Sequence, residues 1–152
     1  MKSFAIVLLF VACHDSSSKP ESKAEPAAGG VASKKPCEYM ARADAEAAVE
    51  VKLPGTTEQI ELGQCQYTSP EFYGAALTVS SWDSVKTAAM AGHPKPVSGV
   101  GDEALFGGDG SLYVRKGDRG FLISINSPVV DHSADKGLAK ATTLALTILA
   151  KM

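Results

Sequence analysis

Three histidines, three cysteines and several glycine–aspartate turns are the residues of this 152-residue chain whose types and spacing could carry chemistry. His14, His93 and His132 are the side chains able to exchange protons near neutral pH or to ligate a metal. His14 stands in a polar tract, where a solvated imidazole is expected. His93 lies in the turn Gly92-His93-Pro94, and His132 in Asp131-His132-Ser133, a helix entry where Asp131 or Ser133 supplies a cap. Three consecutive residues cannot form a Ser-His-Asp relay, which requires side chains converging from separate parts of a fold. No G-x-S-x-G turn is present either. The segments Gly99-Val100-Gly101-Asp102 and Gly107-Gly108-Asp109-Gly110 lack the Gly-Lys-Ser/Thr of a phosphate loop. They also lack the spaced oxygens and closing glutamate of a calcium loop, so they read as turns. Asp102 and Glu103 at a strand start point to opposite faces and do not pair as acid and base. The cysteines show no C-x-x-C spacing for zinc. No catalytic residue, metal site or cofactor is expected, and the chain does not read as an enzyme.

Cys13 has a different significance. It follows an apolar run, Phe4 to Ala12, far shorter than the about 20 residues that cross a bilayer as a helix. With Lys2 ahead of that run, the segment has the parts of an export signal. Phe10-Val11-Ala12-Cys13 resembles the lipobox of bacterial lipoprotein signal peptides, in which the cysteine is acylated and becomes the mature N-terminus. An ordinary cleaved secretory peptide is the competing reading. The small residue before Cys13 and the polar tract after it favour the lipobox. Residues 1–12 then form a lipoprotein signal peptide and Cys13 carries the lipid. The domain would sit in the bacterial cell envelope, on the outward or periplasmic face, with the membrane as partner through two or three acyl chains, since one chain alone holds weakly. With Cys13 assigned, Cys37 and Cys65 remain as an even pair in an oxidising compartment, and a disulfide is expected.

Residues 13–36 continue as Ser-, Lys-, Pro-, Glu- and Ala-rich chain with Val31 as the one aliphatic residue larger than alanine. Such a stretch cannot bury enough apolar surface to offset its ordering entropy and reads as a flexible linker. The remainder, residues 37–152, has the size of one domain. It holds ten Lys and Arg against fourteen Asp and Glu, a net charge of −4. That balance argues against nucleic acid, which requires a basic surface.

Within the domain, helix formers fill 41–50 and Pro54-Gly55 ends the run. Alternation predicts strands at 63–69 and 74–81, then a helix from Asp83 to Met90 capped by Ser81 or Asp83. Three short strands follow, Glu103 to Phe106, Leu112 to Lys116 and Gly120 to Asn126, joined by Gly-Asp turns. Leu138, Ala141, Thr142, Ala145, Ile148 and Leu149 place one apolar stripe on a helix over 133–151. The order α-β-β-α-β-β-β-α predicts an α+β fold, an antiparallel sheet of about five strands with helices packed on one face. Cys37 and Cys65 would staple the first helix to that sheet.

Pro36-Cys37-Glu38, Gly63-Gln64-Cys65-Gln66-Tyr67 and Val97-Ser98-Gly99-Val100-Gly101-Asp102-Glu103-Ala104 together resemble a group of small disulfide-containing bacterial envelope lipoproteins common in actinobacteria. Val100 stands where that group more often has leucine. The resemblance implies a disulfide-linked, lipid-anchored envelope domain and brings no catalytic signature.

For binding, the aromatics Tyr67, Phe72, Tyr73, Trp82, Phe106, Tyr113 and Phe121 fall in or beside strands, where they fill a core or line a groove on an open sheet face. Alternation puts Leu112 and Val114 inward and Tyr113 and Arg115 outward. With Arg119 at the hairpin tip, they are the candidate contacts for a protein, peptide or glycan partner. The expected function is a non-enzymatic binding or accessory module of the envelope. The alternative is a small envelope hydrolase built around His93, His132 and a serine.

Overall fold

Pro36 opens the first helix, since its fixed φ suits a first turn and its missing N–H is not needed there. The computed structural model describes residues 34–128 and 134–152, all within the compact unit Ala32–Met152. Cys13, His14 and the tether, and the Asp131-His132-Ser133 helix entry, lie outside the described residues. Helix α1 spans Pro36–Tyr39 and α2 spans Arg42–Val49, where the alanine-rich run ends at Glu50 in the left-handed conformation. Strand β1 (Gly55–Gln59) and a 3-10 turn (Ile60–Leu62) lead to β2 (Gln64–Thr68) and β3 (Gly74–Ser81). Helix α3 (Trp82–Met90) is capped by Ser81, whose Oγ accepts from the Ser84 N–H. Strands β4 (Lys95–Val97), β5 (Glu103–Phe106), β6 (Leu112–Lys116) and β7 (Arg119–Asn126) follow, and α4 (Ala134–Leu149) closes the chain.

The fold is α+β, and the sheet has seven antiparallel strands in the order β1-β2-β3-β7-β6-β5-β4 rather than about five. The five expected strands form its middle. The additions, β1 and β4, are its two edges. Gly-Thr-Thr-Glu-Gln of β1 is almost wholly exposed, so no apolar alternation marks it. Pro96 sits in β4, which a central strand would not tolerate but an edge does. The helix order also gains α1 ahead of the alanine-rich helix.

The expectation that helices pack on one face is corrected: both faces are covered, each by different helices. Leu77, Leu112, Val114, Phe121 and Ile123 face the main core, with Val49 of α2 and Leu144 and Ile148 of α4. The opposite face carries a smaller cluster in which Trp82, Val85 and Ala89 of α3 pack on Tyr113, with Leu105 and Leu122. Consecutive apolar residues of both parities in β6 and β7 are the physical reason, because a strand buried on both sides does not alternate. Gly120 lets α3 come close, as a Cβ there would lie 3.0 Å from atoms of Trp82 and Val85.

Cys37 and Cys65 are disulfide-bonded at a Cα separation of 5.0 Å, tying α1 to β2. The glycine–aspartate motif near residue 100 also has a structural role. Gly101, at φ +61°, brings its backbone against the Arg115 carbonyl, and the Asp102 carboxylate accepts the Gly117 N–H at 2.7 Å.

Candidate functional site

Helix α3 covers only part of its face of the sheet. Beyond Leu122 that face of β7 presents Ser124 and Asn126, paired across β3 with Ala76 and Gly74, which pair in turn with Gln66 and Thr68 of β2. Gly74 and Ala76 in the middle of these rows, with the small Ser124 beside them, keep the floor low, while the longer Gln66, Thr68 and Asn126 border it. The result is an open cleft of about 800 Å³, within the range of small-molecule sites. Ile125 and Gly137 extend its lining toward the α4 side.

Two turns wall the cleft. One follows α3 and carries His93, with Lys95 just beyond it at the start of β4; the other joins β5 to β6 through Gly107–Ser111. They are joined by a hydrogen bond from the Gly108 N–H to the Gly92 carbonyl at 3.1 Å. The second turn is held internally: the Gly107 N–H donates to the Ser111 carbonyl at 2.9 Å and the Gly110 N–H to the Gly107 carbonyl at 3.0 Å. Asp109 locks the turn to the sheet, accepting the Ser111 N–H at 3.1 Å and the Tyr113 hydroxyl at 3.1 Å. Burial pushes the Asp109 carboxyl up, but hydrogen bonds from Ser111 and Tyr113 outweigh it and hold the group below its ordinary value. Burial, reinforced by the Asp109 charge, pushes the Tyr113 phenol up.

The third side of the cleft is Phe72, in the turn between β2 and β3, a residue 87% exposed with its backbone at φ +65°. A bulky residue pays a strain penalty in that conformation. Hydrogen bonds fix it there: the Phe72 N–H donates to the Ser69 carbonyl, the Ser69 N–H to the Tyr73 carbonyl, and Asn126 Nδ2 to the Phe72 carbonyl at 3.0 Å. His93 is likewise left-handed, at φ +50°. Of the three non-glycine residues with positive φ among the described residues, two therefore line this cleft.

The residues expected to bind are placed apart. Tyr113 and Arg115 do share a face, but that face lies under α3, and Tyr113 is 5% exposed. The Arg115 Nε is buried without a hydrogen bond and lies 3.8 Å from Glu103, an ion-pair distance, while Lys86 approaches the same carboxylate at 3.1 Å. Arg119 points to the opposite face, donating to the Tyr39 hydroxyl at 3.2 Å and lying over its ring. Of the seven aromatics, Phe72 and Phe106 line the cleft. Phe121 is core, Trp82 and Tyr113 pack with α3, and Tyr67 donates to the Met40 carbonyl.

His93 shares the cleft with Ser111 and Ser124, yet those hydroxyls bond to each other at 2.8 Å. No hydrogen bond joins the imidazole to either among the described residues. Sequence reasoning weighed His93 and the Gly107–Gly110 turn singly but passed over Gln66, Thr68, Ser124 and Asn126. The available signal is their polar character at alternate positions of β2 and β7, which marks that end of the face as uncovered. A smaller groove of about 330 Å³ lies between α2 and α4, with the Lys140–Glu50 ion pair at 2.7 Å in its lining.

Among the described residues no cluster of His, Cys, Asp or Glu could hold a metal ion, and no helix is long and apolar enough to cross a membrane. No protein-family model, curated protein or solved structure matches the chain.

Proposed function

We propose that this chain is a lipid-anchored protein of the bacterial cell envelope, held by an acylated Cys13 and spaced from the membrane by the polar tract that follows, whose domain binds a ligand without transforming it. The observation that carries the binding half of this reading is the cleft: an uncovered stretch of sheet, walled by two mutually bonded turns, with hydroxyl and amide side chains converging on it. Pockets of that size with a few convergent polar groups are the usual form of a ligand site. The anchoring half is supported by the apolar run ending in Val11-Ala12-Cys13 and by the disulfide, a bond of oxidising compartments.

A hydrolase reading draws on His93, Ser111 and Ser124 sharing the cleft. It is the weaker one, because Ser111 bonds to Ser124 rather than to a base and Asp109 is committed to Ser111 and Tyr113.

Native mass spectrometry of the full chain, exported and extracted from a bacterial envelope in mild detergent, tests both halves. The expected spectrum shows loss of residues 1–12, acyl chains on Cys13, and a bound adduct that Ser124→Trp, which fills the cleft from its floor, abolishes. An unacylated chain contradicts the anchor. An adduct indifferent to Ser124→Trp in a folded protein contradicts the cleft.

A further inference from the structure

The chemistry lining the cleft selects among ligands. We infer that the cleft binds a glycan, with Phe72 as the platform on which a sugar ring stacks; this rests on the cleft being a binding site at all.

The polar groups on the sheet floor and its margin, Gln66, Thr68, Ser124 and Asn126, are uncharged hydroxyls and carboxamides. Hydroxyls and carboxamides each offer both donor and acceptor capacity, which matches sugar hydroxyls and acetamido groups, themselves donors and acceptors at once. The Ser124 hydroxyl, bonded to Ser111 at 2.8 Å, keeps acceptor capacity for a ligand whichever of the two donates. Asn126 uses its NH2 on Phe72, and its carboxamide oxygen remains as an acceptor. A phosphate or other strong anion would find Lys95 as the one Lys or Arg in a lining that also carries the Asp109 carboxylate. The charge balance therefore disfavours a polyanion.

An extended peptide is the other class a sheet protein commonly takes, and it adds to an unpaired strand edge through main-chain hydrogen bonds. The cleft floor lies on β2, β3 and β7, all paired on both sides within the sheet, and the edge strand β4 contributes only its first residue, Lys95, to the wall, so the floor offers no backbone ladder and recognition there runs through side chains. Phe72 supplies the remaining element. Its ring is exposed, and its main chain is pinned by Ser69 and Asn126 in the left-handed conformation with which a three-residue hairpin turn closes, so the ring is held in a fixed place at the cleft. The negative face of an aromatic ring attracts the polarised C–H face of a sugar. A cleft of about 800 Å³ has room for more than one ring.

The test uses the full chain in detergent with two probe pools: oligosaccharides released from bacterial envelope polysaccharides, and peptides released from envelope proteins. Binding is read by isothermal titration and mapped by amide chemical shifts. Saccharide binding that Phe72→Ala weakens about tenfold or more, that Phe72→Trp retains, and that Ile60→Ala, an exposed apolar residue outside the cleft, leaves within twofold supports the inference. Peptide binding in the cleft with no saccharide binding overturns the glycan while leaving the binding module intact. Binding of neither pool overturns both, and saccharide binding indifferent to Phe72→Ala overturns the platform.

Discussion

Asn126, at the end of β7, donates its side-chain N–H to the main-chain carbonyl of Phe72 at 3.0 Å, across 54 residues of sequence. The bond fixes a hairpin turn whose backbone is left-handed at Phe72 and whose ring is exposed, so the fold holds that ring in one place beside the cleft.

Replacing Phe72 by glycine removes the strain at φ +65° and loses little packing, because the ring is exposed. The relief of about 1–2 kcal/mol exceeds the added unfolded-state entropy of glycine, about 0.5–1 kcal/mol. Phe72→Gly is expected to match or exceed the native protein in chemical denaturation while losing ligand affinity. A loss above about 1 kcal/mol would show that the ring packs on the domain and is structural.

The Cys37–Cys65 bond closes a loop with a sequence separation of 28. In the chain-entropy model a loop of that length contributes roughly 3–4 kcal/mol. The double substitution Cys37→Ser, Cys65→Ser is expected to lower unfolding stability by about that amount, and the native protein to fall equally on reduction. Equal stability of the oxidised and reduced forms would contradict the account.

Asp109 supplies a pH dependence with a definite sign. Burial raises its carboxyl, but the Ser111 and Tyr113 hydrogen bonds prevail and set the folded value below the ordinary 3.8. The folded state then binds fewer protons, so the contribution is full above the unfolded pKa and disappears as pH falls through the lower, folded one. The stability advantage of the native protein over Asp109→Asn is expected to be greatest at pH about 6 and to shrink below about pH 4. An advantage that grows on acidification would reverse the assignment.

The middle of the sheet was legible in the sequence because its strands alternate or are bounded by Gly-Asp turns, and the disulfide because two cysteines remained once Cys13 was set aside. The edges were not legible: β1 buries nothing that periodicity could register, and Pro96 hides β4. Tyr113 and Leu122 carried a signal that went unused, since apolar residues of both parities in β6 and β7 require cover on both faces. Tyr113 lies on the face opposite Leu112 and Val114, as alternation places it, but α3 buries it there and it is not an accessible contact. The cleft was illegible as a unit. Its lining comes from β2, the β2–β3 turn, the segment after α3, the β5–β6 turn and β7, and only the strand order brings these together.

Hydrogen exchange on the full chain, with and without a low-molecular-weight extract of the bacterial envelope, tests the central claim most directly. Ligand in the cleft predicts protection confined to peptides covering 66–76, 92–95, 106–111 and 124–126. Protection confined to the 115–119 hairpin or to the α2–α4 groove, or no protection anywhere, would contradict the assignment of the cleft as the binding site.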